Sequence, residues 1–293
     1  MGLSAQQLAE RVAGRLMAAE PLMLRRHLAA AALSVDLDLA DEHDSGATVS
    51  GSGIATVHVS GVLFSRGDWF TRAMGWADHE GLSAVLGALA SDQRVKGVLL
   101  SIDSPGGDCA GMLEACEKVA QLAEAKPVYA VANHHAYSAA YALASAASRV
   151  YVSQAGGVGS IGVVTAHVDQ SQRDAQTGYR ITFLHHGAKK VDANAHEPLS
   201  ERARADIRAD IDTLGEAFAA RVAKGRGLKA ADVIAMEAGT FMGAAAVEAG
   251  LADQVGTLSQ ARADLAKAIN AKANPFTFAE SRARRAAFTW RSA

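Results

Sequence analysis

The sequence is poor in cysteine, and the two cysteines present exclude a disulfide framework. Cys109 and Cys116 are the only ones among 293 residues, and they lie seven positions apart in a predicted helix. That spacing puts them on one helical face but too far apart along the axis for a disulfide. Because they form neither a CxxC pair nor a metal-ligand pattern, we interpret them as buried apolar side chains, which suits a reducing compartment.

Long apolar runs are also missing from the chain. No stretch approaches the about 20 apolar residues that a membrane-spanning helix needs. The N-terminal stretch HLAAAALSV is too short, follows Arg25 and Arg26, and lacks a cleavage site. We therefore predict neither a signal peptide nor a membrane anchor.

The charge is balanced rather than of one sign. Lysine and arginine number 29 against 31 aspartates and glutamates, a formal net charge of −2, which gives no basic footprint for nucleic acid. The sequence also lacks the GxxxxGK[ST] phosphate loop and a dinucleotide-binding fingerprint. These absences predict no nucleic-acid partner, no cofactor and no metal.

What the chain does contain is an alternation of apolar strands and helices. The predicted strands read IATVHVSGVLF, KGVLLSID, PVYAVA, RVYVS, IGVVTAHV and RITFLHH. Such alternation is typical of βαβ units, and we predict one α/β domain over residues 52–256. Residues 1–51 are interpreted as an extension, with a helix followed by the linker DEHDSGATVSGSG, and residues 257–293 as a helical and basic tail.

One predicted helix carries a single apolar stripe, interpreted as core or subunit interface. Its members recur at spacings of three and four: Leu199, Ala203, Ile207, Ile211, Leu214, Phe218 and Val222. Gly225 and Gly227 are expected to end it. The tail from Asn274 carries four arginines and is either a solvated end or a partner-binding segment.

Two loops carry residues suited to nucleophilic catalysis. In SPGG, Gly106 and Gly107 follow a buried strand, where glycines let backbone N–H groups face a ligand, although a plain strand-to-helix turn has the same pattern. Ser138 precedes the helix-forming run AAYALASAAS and is either a helix cap or a nucleophile. As a nucleophile it would gain an oxyanion donor from the N–H of Ala139.

A serine nucleophile needs a base, and two kinds of side chain are candidates. His134 and His135 lie just before Ser138, but a histidine three or four residues earlier has no evident geometry for the task. Lys189 and Lys190 follow the predicted strand RITFL, whose carboxyl end would deliver them to the same sheet edge. A buried lysine amine is able to act as a general base.

Taken together, four motifs resemble a known family. DSPGGD, YSAAYALASAAS, GSIGVV and GAKKVDAN occur in the order and spacing of the signal peptide peptidase A family, over roughly residues 54–256. The resemblance implies a Ser–Lys serine peptidase with the crotonase/Clp-type fold of repeated β-β-α units. Within the family, LASAAS, EAGLAD and the early EPLML are similar to the head-maturation proteases of tailed phages, the minor capsid protein C type.

The resemblance assigns roles by position. It implies that Ser138 is the nucleophile and that Lys190, 52 residues later and directly before VD, is the base. Ser160 in GSIG matches a serine that orients the lysine amine. The oxyanion hole and substrate strand match Gly106, Gly107 and Ala139. Many relatives carry glycine soon after the nucleophile, where this chain reads Ser-Ala-Ala.

The resemblance also implies a function and partners. The leading hypothesis is a serine endopeptidase that cleaves scaffold, portal or capsid proteins, or itself, during phage or prophage head maturation. It would act as a ring-like homo-oligomer in the host cytoplasm or inside the procapsid. The alternatives are a bacterial peptidase of signal-peptide fragments, a non-catalytic capsid assembly factor, and an acyl-CoA-processing crotonase, for which a Ser–Lys pair would be superfluous.

Overall fold

A mainly parallel sheet forms the centre of the computed structural model, which describes residues 14–34 and 47–270. The strands are β1 (Met17–Ala19), β2 (Ala47–Val49), β3 (Ile54–Ser60), β4 (Gly97–Ser104), β5 (Gly106–Asp108), β6 (Val128–Tyr137), β7 (Arg149–Val152), β8 (Gly157–Gly159), β9 (Thr240–Met242) and β10 (Gln254–Val255). The central order is β10-β7-β6-β4-β3-β2, with β8 paired to β6 and β9, while β1 and β5 form a separate pair.

Helices connect these strands in the alternation expected of an α/β protein. They are α1 (Pro21–Ser34), α2 (Trp69–Ala73), α3 (His79–Ser91), α4 (Met112–Ala125), α5 (Ala139–Ser145), α6 (Ser171–Thr177), α7 (Glu201–Arg226), α8 (Ala230–Ile234), α9 (Gly243–Glu248) and α10 (Leu258–Asn270). The predicted α/β class is confirmed, and β4, β5 and α4 form one β-β-α unit. Within the described ranges, no helix is long and apolar enough to cross a membrane.

Both faces of the sheet are covered, which explains why β4 and β6 are nearly continuous apolar runs. On one face, α3 and α4 contribute Leu86 and Val119 to the main core. On the other, α10 packs Leu265 against Leu99 and Tyr151. α10 thus covers the sheet next to β4, although it lies in residues 257–293, which we interpret from the sequence as a tail.

Two of the predicted strands are wrong. In the stretch IGVVTAHV only Val164 pairs, through an isolated bridge to Met17, and RITFLHH forms no strand in the described chain. The alternation of apolar and polar residues imitates a half-buried strand, but apart from that one bridge no described strand pairs with either stretch. Ile161 is buried, but Val164, Val168 and Ile181 are exposed, and Leu184 is 97% exposed.

Other expectations need smaller corrections. Part of the proposed linker, Ala47–Val49, is a strand paired antiparallel with β3. Cys109 precedes α4 rather than lying within it; both thiols are free and buried, and burial raises the pKa of each to about 12. The arginines of the basic tail lie outside the described residues.

The long predicted helix is confirmed as α7, although its start and its stripe differ from expectation. It begins after the N-cap Ser200 and ends at Gly227, in the left-handed conformation, so Gly225 lies inside the helix. Phe218 and Val222 are fully buried, whereas Ile211 is only half-buried. Ala203 near its N-terminus is buried as well, so the stripe is buried at both ends of α7 and only partly buried between them.

Candidate active site

Ser138 occupies a strained turn between β6 and α5. Its backbone has φ 52° and ψ −118°, a region that non-glycine residues rarely adopt. It stands at the N-cap position, yet among the described residues its Oγ donates to the carbonyl of Gly162 at 3.4 Å and does not cap α5. The strain therefore aims the hydroxyl away from the helix, which favours the nucleophile over the simple cap.

The sequence around Ser138 explains how the turn is held. The Ser138 N–H donates to the Gly159 carbonyl at 2.8 Å, which ties the end of β6 to β8. Every residue of α5 is buried, and its alanines let the helix enter the core. A buried element fixed at its first residue is able to hold an unfavourable φ that a mobile loop would relax.

The SPGG turn lies directly against Ser138. Gly106 has φ 97°, and a Cβ at that position would lie 3.0 Å from Ser138 Cβ and overlap the carbonyl oxygen of Ala18. A Cβ on Gly107 would overlap the backbone of Leu63. Both glycines are thus required by close approach of other backbone, and the turn and Ser138 come together.

The two glycines differ in what their amides do. The Gly106 N–H already donates to Ser104 Oγ at 3.1 Å. Gly107 stands opposite Ala18 in the antiparallel pair of β1 and β5. Of the two predicted oxyanion donors, Gly107 is therefore the one whose N–H is not bonded to Ser104, and the role of either glycine and of the Ala139 N–H stays a prediction.

Ser160 lines a cavity of about 380 Å³. It also has a positive φ, 54°, is 7% exposed, and donates its N–H to the Gly239 carbonyl at 2.8 Å. The cavity wall comprises Ala19, Glu20, Pro21, Ser160, Gly162, Val163, Val164, Ala238, Gly239 and Thr240. The serine expected to orient a lysine thus lines a cavity that also includes Gly162, whose carbonyl accepts from Ser138.

Lys190 is exposed in a turn after Gly187, and the structure does not bring it to Ser138. Its amine makes no hydrogen bond or ion pair with any described residue. Its neighbour Lys189 pairs with Asp206 at 2.6 Å. Arg202 ties the turn to the start of α7 through the Ala188 carbonyl, so Lys190 projects from an anchored loop. The Ser–Lys dyad stays a prediction.

The two histidines before Ser138 have other contacts. His134 Nδ1 lies 3.1 Å from Asp103 Oδ2, and its side chain is 72% exposed. His135 stacks on Tyr137 with ring centroids 5.0 Å apart, and burial lowers the pKa of its imidazole. In the described chain no hydrogen bond joins either ring to Ser138, which weakens the histidine alternative.

The N-terminal strand β1 was not foreseen, and it fills the edge next to Ser138. Met17–Ala19 pairs antiparallel with β5, and Met17 exchanges two backbone hydrogen bonds of 2.8 Å with Val164 on its other side. A three-residue strand has no readable periodicity, so no signal in the sequence pointed to it. Within the described ranges, no cluster of His, Cys, Asp or Glu is arranged to hold a metal ion.

Comparison with known proteins identifies relatives of this chain. The model of peptidase family S49 matches residues 120–272. The head-tail preconnector protein GP5 of Enterobacteria phage P21 is 39% identical over 80% of this chain and 47% of its own length. Capsid assembly protease C of Escherichia phage lambda is 37% identical over 75% and 50%. The chain spans about half the length of these two phage relatives.

More distant matches extend to bacterial proteins and solved structures. A putative signal peptide peptidase SppA of Enterococcus faecium is 29% identical over 73% of this chain and 63% of its own. Matched structures include an enoyl-CoA hydratase/isomerase of Acinetobacter baumannii, 14% identical over 83% and 85% of the two chains, with a TM-score of 0.47. A mutant of ClpP1 from Listeria monocytogenes is 14% identical over 70% and 93%, with a TM-score of 0.43.

Proposed function

Because the chain belongs to peptidase family S49, we propose that it is a serine endopeptidase with Ser138 as nucleophile and Lys190 as base. The observation that carries the proposal is the strained, fully buried Ser138 pressed against the Gly106 and Gly107 turn. Two phage relatives, one named a capsid assembly protease, support a role in head maturation. Its substrates would be scaffold, portal or capsid proteins, or the chain itself, in the host cytoplasm or the procapsid.

The proposed mechanism uses only groups of the chain and water. Ser138 Oγ attacks the scissile carbonyl carbon while the neutral amine of Lys190 takes its proton. The N–H groups of Gly107 and Ala139 stabilise the oxyanion that forms. The amine then protonates the departing nitrogen, and water hydrolyses the acyl-enzyme with the amine again acting as base.

Because Lys190 is exposed in the single chain, the proposed mechanism requires that assembly of subunits bring its loop to Ser138. The segment that leads to it exposes Val164, Val168, Tyr179, Ile181 and Leu184. A run of uncovered large apolar side chains is typical of a surface that a partner covers. We propose that subunits of a ring-like homo-oligomer cover this segment and that the Lys190 amine enters the cavity beside Ser160.

The test is the loss of activity in two single variants. Ser138→Ala and Lys190→Ala should each abolish cleavage of co-expressed capsid proteins, with Lys189→Ala as the matched control that keeps it. Ser138→Ala should also lose labelling by a fluorophosphonate probe. Wild-type activity in Lys190→Ala would refute the dyad, and failure of the wild-type protein to react with the probe would refute the serine peptidase.

A second candidate is a bacterial peptidase of signal-peptide fragments, which the similarity to the Enterococcus protein favours. Neighbouring portal and major capsid genes would support the phage role, and their absence would favour this alternative. A non-catalytic assembly factor would be indicated by capsid-protein binding without probe labelling. In each case the functional domain would comprise residues 52–256 together with β2 and α10, which pack with the same sheet.

A further inference from the structure

The N-terminal strand lies in the groove where a substrate peptide would bind. Substrates of many peptidases bind as an added β-strand, held by backbone hydrogen bonds on both sides. Residues 16–20 are held in this way. Cys109 N–H donates to the Leu16 carbonyl at 3.1 Å, Glu20 N–H donates to the Pro105 carbonyl at 2.7 Å, and Val164 bonds Met17 from the opposite side. The chain itself thus occupies the extended-peptide site.

The register brings one peptide bond to the nucleophile. Ala18 is paired with Gly107, the proposed oxyanion donor. The Ala18 carbonyl oxygen and Ser138 Cβ converge on the same spot beside Gly106, where a Cβ would overlap the first and lie 3.0 Å from the second. The carbonyl of Ala18 therefore lies beside Ser138 and opposite the proposed donor.

An ion pair at Arg15, three residues before Ala18, fixes this register. Arg15 Nη2 lies 3.0 Å from Asp108 Oδ2, and the guanidinium sits over the Phe64 ring at 5.6 Å. The Asp108 side chain is 2% exposed, and its Oδ2 also accepts the Ser65 N–H at 2.8 Å. A buried carboxylate at the end of the groove suits a basic side chain. Ala18 itself is fully buried, which leaves room for only a small side chain.

We propose that the enzyme cleaves its own chain between Ala18 and Ala19. The same groove then selects extended peptides with a basic residue three positions before an alanine. The inference rests on the proposed peptidase activity and adds to it a cleavage site and a substrate class. The cleaved segment leaves the groove, which opens the site to other chains.

The step balances without any added reagent. Ser138 Oγ bonds to the Ala18 carbonyl carbon, and its proton passes to the base. The bond to the Ala19 nitrogen breaks as that nitrogen takes the proton, which leaves residues 1–18 as an ester on Ser138. Water hydrolyses the ester, so the products are a carboxylate at Ala18 and an amine at Ala19.

The experiment compares intact masses and N-terminal sequences of the full-length wild-type protein and Ser138→Ala, expressed identically. Wild type should begin at Ala19, and Ser138→Ala should retain the bond. Ala18→Arg should slow this cleavage by roughly 100-fold because the groove has no room for it. Ala231→Arg, at an exposed site in α8, should be cleaved like wild type.

A peptide with the sequence RLMAAEPL, residues 15–22, distinguishes a failure of self-cleavage from a failure of the proposed peptidase function. Wild type that cleaves this peptide but keeps its own bond overturns self-cleavage and leaves the proposed function standing. Wild type that cleaves neither and ignores a fluorophosphonate probe overturns both. Cleavage of the bond in Ser138→Ala would assign it to another protease and also overturn the inference.

Discussion

Arg15 and Asp108 form an ion pair of 3.0 Å that ties the N-terminal segment to the strand beside Ser138. The pair is unequal, because Asp108 is buried while the Arg15 side chain is 40% exposed. The exposed partner belongs to the segment in the groove, and the buried partner belongs to the groove wall. A buried acid in the wall of a peptide-binding groove favours bound peptides that carry a basic side chain at the matching position.

Removing the Asp108 charge should therefore weaken binding of peptides with the arginine. Asp108→Asn keeps an acceptor for Ser65 but loses a charge-assisted hydrogen bond worth about 1.5–3 kcal/mol. We expect kcat/KM for RLMAAEPL to fall by roughly tenfold or more, through KM, and that for ALMAAEPL to stay the same. Glu117→Gln, which removes the partly exposed partner of Arg221, is the control. Equal losses on both peptides would contradict the assignment.

The approach of Ser138 to the glycine turn was predictable from the sequence because the signal is local. Ser138, Gly106 and Gly107 lie in short motifs at strand ends, and parallel strands bring their carboxyl ends to one edge. The pairing of Met17 with Asp108 joins distant parts of the chain through three residues with no pattern of their own. The strand prediction for RITFLHH was wrong for a different reason. An alternating pattern indicates that one face of a segment is apolar, but it does not show whether the same chain supplies the surface that covers that face.

Mixed oligomers should reveal which subunit supplies the lysine. If Lys190 acts on the Ser138 of a neighbour, co-expressed Ser138→Ala and Lys190→Ala subunits at equal amounts should regain roughly a quarter of wild-type activity, since one site in four combines both intact residues. Peptide cleavage by the purified mixture measures this.

Co-expression of Lys190→Ala with the double variant Ser138→Ala/Lys190→Ala is the control, because it contains no intact lysine. No recovery in the first mixture, despite confirmed mixed oligomers, would place the lysine in its own subunit. The loop of Lys190 would then have to close over the cavity beside Ser160 within one chain.

The glycines of the turn should respond differently to an added methyl group. Gly107→Ala forces a Cβ into the Leu63 backbone and should lower the free energy of unfolding by about 1–3 kcal/mol. Gly106→Ala meets Ala18 and Ser138 at a φ of 97°, which L side chains rarely adopt, so it should lower both the free energy of unfolding and peptide cleavage. Gly87→Ala, in α3 with nothing within 4 Å of the new Cβ, should stabilise by about 0.5–1 kcal/mol. Denaturant titration and peptide cleavage test the set, and equal effects at Gly87 and Gly107 would refute the packing argument.

The buried pair of Arg226 and Asp253 should be the most sensitive ionic contact for stability. Arg226 is 1% exposed at the end of α7, lies 3.0 Å from Asp253 and donates to the Gly250 carbonyl, while Asp253 also accepts the Val150 N–H of β7. Arg226→Ala leaves a buried carboxylate without its cation, which should cost about 3–5 kcal/mol in denaturant unfolding. Arg208→Ala removes an exposed pair with Asp212 on the same helix and should cost under about 0.5 kcal/mol. The contacts indicate that Asp253, the last residue of EAGLAD, joins α7 to the sheet. Similar losses of stability in the two variants would contradict this.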